Sequence, residues 1–132
     1  MGLACFQGGN ALVQTDYIVG ANLAVPSFTA AWLDGAPGTS ADVNPLYRDP
    51  DEIATLNPLL ILVGGGEFAL QEGKDLAALC NKAGLPHHLE VEWGQLHLYG
   101  LGSKWIDPSV RLKTDAMIFN WIRDCLSSEL RA

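Results

Sequence analysis

Positive charge is scarce in this sequence: eight Lys and Arg stand against fifteen Asp and Glu, a formal net charge of −7. With no basic stripe to follow a phosphate backbone, nucleic acid is not expected as a partner, and the charge reads mainly as solubility. No apolar run approaches the ~20 residues that span a bilayer, so no transmembrane segment is expected. Met1–Phe6 is too short and uncharged for a secretory signal. Gly2 lacks the Ser or Thr that myristoylation takes at position 6, where Phe6 stands. Cysteine is sparse and odd in number, and Cys5, Cys80 and Cys125 show neither a Cys-x-x-Cys pair nor zinc spacing. Cys80 and Cys125 fall on apolar faces of predicted helices, which reads as buried free thiols in a reducing, cytoplasmic setting. Asn-x-Ser/Thr sites, repeats and low-complexity segments do not occur. Gly64-Gly65-Gly66 lacks the Lys and Ser/Thr of a phosphate loop, and His87-His88 has no nearby Cys or paired carboxylate. No cofactor and no metal are expected.

What is present suffices for one domain with a real core: 132 residues, 48% of them hydrophobic. The most informative stretch is Leu59 to Gly73, LLILVGGGEFALQEG. Leu59–Val63 is a continuous apolar run of the kind that is buried on both faces in a parallel sheet. Glycines end it, and a lone carboxylate, Glu67, follows. Leu76, Leu79, Cys80 and Ala83 then repeat at helical spacing, with Gly84 as the C-terminal stop and Pro86 beyond. His88–Trp93 alternates polar and apolar, as a half-exposed strand does. Just past it comes His97, in Gly94-Gln95-Leu96-His97. Asp107-Pro108 is a helix start, and Val110, Thr114, Met117, Ile118, Trp121 and Cys125 share one face of a closing helix. Strand, helix, strand, helix predicts a parallel α/β unit.

The first forty residues are less regular. Gly8-Gly9-Asn10 is a turn, Thr15–Val19 fits either a short strand or the approach to a helix, and Phe28, Ala31, Trp32 and Leu33 follow helical spacing after Pro26-Ser27. Residues 34–58, rich in Pro, Gly, Asp and Asn, predict a long surface connection with one helical turn near Asp51–Thr55.

In open α/β sheets the working residues lie just past the carboxyl ends of strands. Glu67 and His97 both hold that place, and a carboxylate with a histidine makes two-thirds of a hydrolytic triad. Taken singly, Glu67 reads better as a carboxylate favoured by a helix N-terminus and His97 as a loop histidine without a special role; the two together, in this order and spacing, favour triad geometry.

The order Asn44-Pro45-Leu46, then Asn57-Pro58-Leu59-Leu60-Ile61-Leu62-Val63-Gly64, then Ala83-Gly84 and Gly94-Gln95-Leu96-His97, resembles the C-terminal third of α/β-hydrolases of the hormone-sensitive-lipase group, the fold-3 esterases. The resemblance runs over roughly residues 40–126. It implies a partial α/β-hydrolase fold, with residues 1–40 as a lead-in and 41–132 as the unit that carries the acid and the histidine. It also implies carboxylic ester hydrolysis by a serine-type mechanism, with Glu67 as the acid and His97 as the base. Two departures stand out: Glu67 replaces the more usual Asp, and Gln71 stands where a further Asp is expected. The family's His-Gly-Gly-Gly oxyanion motif and Gly-Asp-Ser-Ala-Gly elbow do not occur here, and they belong to the half that precedes this region. Gly38-Thr39-Ser40-Ala41-Asp42 echoes an elbow without its strand-to-helix turn, so Ser40 is not expected to be a nucleophile.

The expectations that follow are an incomplete hydrolase domain, inactive alone, whose substrate when completed is a small or lipid-like ester. Its partners would be the N-terminal half of the fold or a second copy. The alternative is a non-catalytic module that binds a protein partner through an exposed sheet edge.

Overall fold

The computed structural model describes residues 31–101 and 106–129. The expected turn at Gly8–Asn10, the segment Thr15–Val19, the helix start at Pro26-Ser27 and Cys5 lie outside the described residues. The chain divides into two compact units, Met1–His97 and Leu98–Ala132.

In the first unit, residues 31–33 are helical, and the connection to residue 58 is irregular apart from a 3-10 turn, Pro45–Tyr47, and a short helix, α1 (Pro50–Ile53). Each of these begins on a side-chain cap followed by proline. Asn44 accepts from the Leu46 N–H at 3.1 Å, and Asp49 accepts from the Asp51 N–H at 2.9 Å. The segment is not wholly superficial, as its composition suggests, because Asn44 and Ile53 are buried. Ile53 sits in an apolar cluster with Cys80 and Leu85. Asn44 meets the cost of its own burial by donating to the Gly38 carbonyl at 3.1 Å.

Strand β1 (Leu59–Gly64), helix α2 (Leu70–Ala83) and strand β2 (His87–Glu92) follow, and the two strands are parallel. The register pairs Leu59 with His87, Ile61 with Leu89 and Val63 with Val91. Alternation therefore puts Leu59, Ile61, Val63, Leu89 and Val91 on one face, and α2 covers that face with Leu70 and Ala77. Leu60 and Leu62 point the other way, beside His88 and Glu90, and stay half-buried. The burial expected on both faces of β1 is thus found on one face only, at Ile61 and Val63. Among the described residues β1 has β2 alone as a neighbour.

The buried stripe of α2 is Leu70, Gly73, Ala77 and Cys80, whereas Leu76, Leu79 and Ala83 flank it. Gly73 belongs to the stripe because helix and strand approach closely there. A Cβ on Gly73 would stand 2.4 Å from Val63 Cγ1. Helix α2 ends where expected: Gly84 takes a left-handed φ of 68°, and the Leu85 N–H reaches back to the Cys80 carbonyl at 3.0 Å. Cys80 is a fully buried free thiol, and Cys125 is half-buried.

The second unit has a 3-10 turn, Tyr99–Leu101, and helix α3 (Pro108–Glu129). Asp107 caps α3 by accepting from the Ser109 N–H at 2.8 Å, and the bonds from Ser109 hold its carboxyl below the usual range. Val110, Thr114, Met117, Ile118, Trp121 and Cys125 form the less exposed face, as their spacing predicts. Thr114 is tolerated at its centre because its hydroxyl donates to the Val110 carbonyl at 2.9 Å. No described helix is long and apolar enough to cross a membrane.

Candidate active site

Parallel strands deliver their carboxyl ends to the same edge of the sheet, so the loops after β1 and β2 emerge side by side. Backbone bonds then join those loops. The Gly65 N–H extends the ladder to the Glu92 carbonyl at 2.9 Å, and the Gly66 N–H donates to the Gln95 carbonyl at 3.0 Å. This close seam requires glycine. A Cβ on Gly64 would fall 2.5 Å from the Gln95 carbonyl oxygen, and one on Gly65 would fall 2.5 Å from the Trp93 indole. Gly94 turns the chain out of β2 with a φ of 84°.

The two side chains carried by this seam meet. Glu67 Oε2 lies 3.2 Å from His97 Nδ1. A carboxylate can only accept, so Nδ1 carries the proton and Nε2 keeps its lone pair, a tautomer assigned from this contact. The Glu67 side chain is 5% exposed and that of His97 is 25% exposed, so the acid is enclosed while the imidazole reaches the surface. Buried Phe68 packs against the ring, with centroids 4.7 Å apart and planes inclined by 44°. Carboxylate and aromatic ring together leave the imidazole little freedom to rotate. The assembly can orient and charge-stabilise an imidazole whose free nitrogen takes up a proton.

The other sequence candidates lie elsewhere. Ser40 sits in a turn where its hydroxyl accepts from the Asp42 N–H at 3.4 Å; no strand leads into it, and the next helical residues form only a 3-10 turn. His87 donates from Nδ1 to the Leu85 carbonyl at 2.9 Å, and His88 pairs with Glu90 at 3.5 Å. Among the described residues no group of three or more His, Cys, Asp or Glu is arranged to hold a metal ion.

Sequence reasoning missed three features of the site: the packing of Phe68 on His97, the Gly66–Gln95 seam, and Glu72. Glu72 lies in the first turn of α2, and its Oε2 is buried without a hydrogen-bond partner among the described residues. Burial pushes its carboxyl up to about 7; a backbone hydrogen bond opposes this, and Asp75 and Glu67 add repulsion. The available signal was position. Glu72 precedes Gly73, where α2 packs tightly against Val63 of β1.

A parallel strand–helix–strand unit with a carboxylate and an imidazole at adjacent strand ends is an α/β architecture. Solved structures share the fold. Over 96% of its length the chain is similar to an esterase/lipase from an uncultured bacterium, at 20% identity and a TM-score of 0.79, covering 40% of that chain. It is likewise similar to EstE5 soaked with p-nitrophenyl butyrate, at 21% identity and a TM-score of 0.75, and to EstE5-PMSF, at 20% and 0.74. It covers 96% of its own length in both matches and 40% of each EstE5 chain. The fold is therefore that of part of an α/β-hydrolase, and the chain spans about 40% of the length of the structures it matches. No protein-family model and no curated protein matches the sequence.

Proposed function

We propose that this chain carries the acid and base of a serine-type carboxylic ester hydrolase of the hormone-sensitive-lipase group. Glu67 holds His97 in the Nδ1–H tautomer, and His97 Nε2 takes the proton of a serine hydroxyl as that oxygen attacks an ester carbonyl. Glu67 then stabilises the imidazolium, which returns its proton to the leaving alcohol. The nucleophile and the oxyanion donors come from the part of the fold that this chain does not match, and the chain alone turns over no ester. The observation that carries this reading is the 3.2 Å bond between the two side chains at neighbouring strand ends. The similar structure named as an esterase/lipase, and EstE5 soaked with an ester, support it.

The test is hydrolysis of p-nitrophenyl butyrate by the chain alone, and by the chain co-expressed with the complementary portion of a similar esterase. Background rates are expected for the chain alone. Reconstituted turnover should disappear with His97→Gln and fall by about ten-thousand-fold with Glu67→Gln, the loss typical of a triad acid replaced by its amide. Turnover by the chain alone that Ser40→Ala abolishes would overturn the reading, as would reconstituted turnover indifferent to His97→Gln.

A second reading has one observation in its favour: among the described residues, β1 has a strand on one side only. An open strand edge accepts an added strand. On that reading the chain is a non-catalytic module, and it captures an extended peptide without any ester turnover after reconstitution.

A further inference from the structure

We propose that the outward face of α3 is a self-association surface, on which a second copy of this chain packs antiparallel about Phe119. It stands apart from the ester-hydrolase reading. A surface helix ordinarily buries one apolar stripe and turns a polar face outward. Helix α3 departs from that pattern. Opposite the less exposed face of Val110, Met117 and Trp121 it carries Leu112, Ala116, Phe119, Ile122 and Leu126, all exposed. Leu112 is 66% exposed and Phe119 72%. At 3.6 residues per turn, these five fall within a band ~120° wide along one side of the helix. Leu112, Phe119 and Leu126 recur every seven residues, the repeat along which two helices pack side by side.

Two features of the stripe commit it to a second copy. Its apolar residues are spaced four, three, three and four apart, so the pattern reads the same in both directions from Phe119. The charges beside it do the opposite: Asp115 stands four residues before Phe119 and Arg123 four residues after, both exposed. In an isologous pair residue i meets j and j meets i. An antiparallel copy centred on Phe119 therefore sets Leu112 against Leu126, Phe119 against its equivalent, and Asp115 level with Arg123, twice over. A parallel copy in register would instead set Asp115 against Asp115 and Arg123 against Arg123. Arg123 is paired with Asp124 on its own helix at 3.0 Å, but both side chains are exposed and such a surface pair is worth little, so exchanging it for Asp115 costs little. Area sets the strength of the association. The stripe offers roughly 500 Å² of surface per copy, and two such faces come to about 1,000 Å², the lower limit of a specific interface. The dimer is accordingly weak, with a Kd on the order of 10 μM.

Sedimentation velocity on the full chain tests this. Between about 1 and 200 μM the sedimenting species should pass from monomer to dimer. Asp115→Arg and Arg123→Asp each bring like charges together at both ends of the pair, and each should weaken the dimer about tenfold or more. The double variant restores the pairs with their signs exchanged, and an equimolar mixture of the two single variants restores them between unlike copies. All these side chains are exposed, so far-ultraviolet circular dichroism should stay unchanged. If a charge variant does not fold, Phe119→Ser on the same exposed face decides, and it should leave only monomer. A chain that remains monomeric at the highest concentration overturns the proposal and leaves the face to another occupant, such as the complementary portion of the fold. Association that ignores these substitutions overturns it as well, and so does a loss in the single variants that the mixture does not recover. None of these readouts involves ester turnover, so this proposal and the hydrolase reading fail separately.

Discussion

Replacing Gly73 by alanine sets two opposing effects against each other, and the structure says which is larger. Alanine in a helix interior is favoured over glycine by about 1 kcal/mol. Against this, the new Cβ would sit 2.4 Å from Val63 Cγ1, more than 1 Å inside the ~3.5 Å at which carbon atoms make contact. Val63 is β-branched, so its χ1 is stiff, and at 5% exposure it has no solvent to turn toward. Relief has to come from moving α2 off β1, which loosens Ile61, Val63, Leu70 and Ala77 together. Overpacking of this kind costs roughly 1–3 kcal/mol. A contact this short puts the cost in the upper half of that range, about 2–3 kcal/mol. Net of the helix gain, Gly73→Ala should destabilise by about 1–2 kcal/mol, lowering Tm by roughly 4–8 °C for a chain of 132 residues. Urea unfolding followed by circular dichroism measures it, and Val63→Ala supplies the control. With the opposing methyl removed, the double variant should cost at least about 1 kcal/mol less than the two singles together. A neutral or stabilising Gly73→Ala, or singles that simply add, would refute the close-packing argument.

Two further outcomes follow from the same region. Gly64→Ala puts a methyl 2.5 Å from the Gln95 carbonyl oxygen and 2.7 Å from that of Leu96, both backbone atoms, so the loop carrying His97 has to shift. Reconstituted ester turnover should drop by about a hundredfold, as a misplacement of the order of 1 Å does, and unchanged turnover would contradict the seam described here. The second concerns pH and stability. The folded-state pKa of Glu72, about 7, lies above its ordinary value of 4.5, so the neutral carboxyl contributes stability fully below pH 4.5 and loses it as pH rises through about 7. The ceiling is about 3 kcal/mol, reduced to about 1–2 kcal/mol by solvent screening, since only part of the side chain is enclosed. Urea midpoints at pH 5 and pH 8 should differ less in Glu72→Gln than in the unaltered chain, and an equal difference in both would count against the burial argument.

Periodicity and punctuation made much of the fold legible. The continuous apolar run placed β1 within one residue, and Gly84 with Pro86 marked the end of α2 at its actual terminus, Ala83. The expected strand 88–93 is observed at His87–Glu92, displaced by one residue because Trp93 is already in the turn that Gly94 closes. The meeting of Glu67 and His97 was also readable, because equivalent positions after parallel strands lie on one edge of a sheet. What the pattern misplaced was the depth of residues. Hydrophobicity marked Leu76, Leu79, Cys80 and Ala83 as the inner face of α2; Cys80 is indeed buried, but its buried companions are Leu70, Gly73 and Ala77, and Leu76, Leu79 and Ala83 flank them. Asn44 and Glu72 were overlooked for a related reason. A polar residue signals solvent until its partners, or the want of them, are seen in three dimensions.

The Gly66–Gln95 bond gives Glu67 and His97 a common ruler. Neighbouring strands in any sheet stand about 4.8 Å apart, and this bond carries that spacing past the last rung of the ladder into the loops themselves. The gap between Glu67 and His97 is therefore gauged by the hydrogen-bonded backbone. The side chains of the intervening loop residues have little hold on it. Substitutions at Gln95 or Leu96 that leave the main chain in place should be absorbed without changing that gap. A slip of one residue in strand register would carry His97 about 3.3 Å along the strand direction, outside the reach of Glu67 altogether.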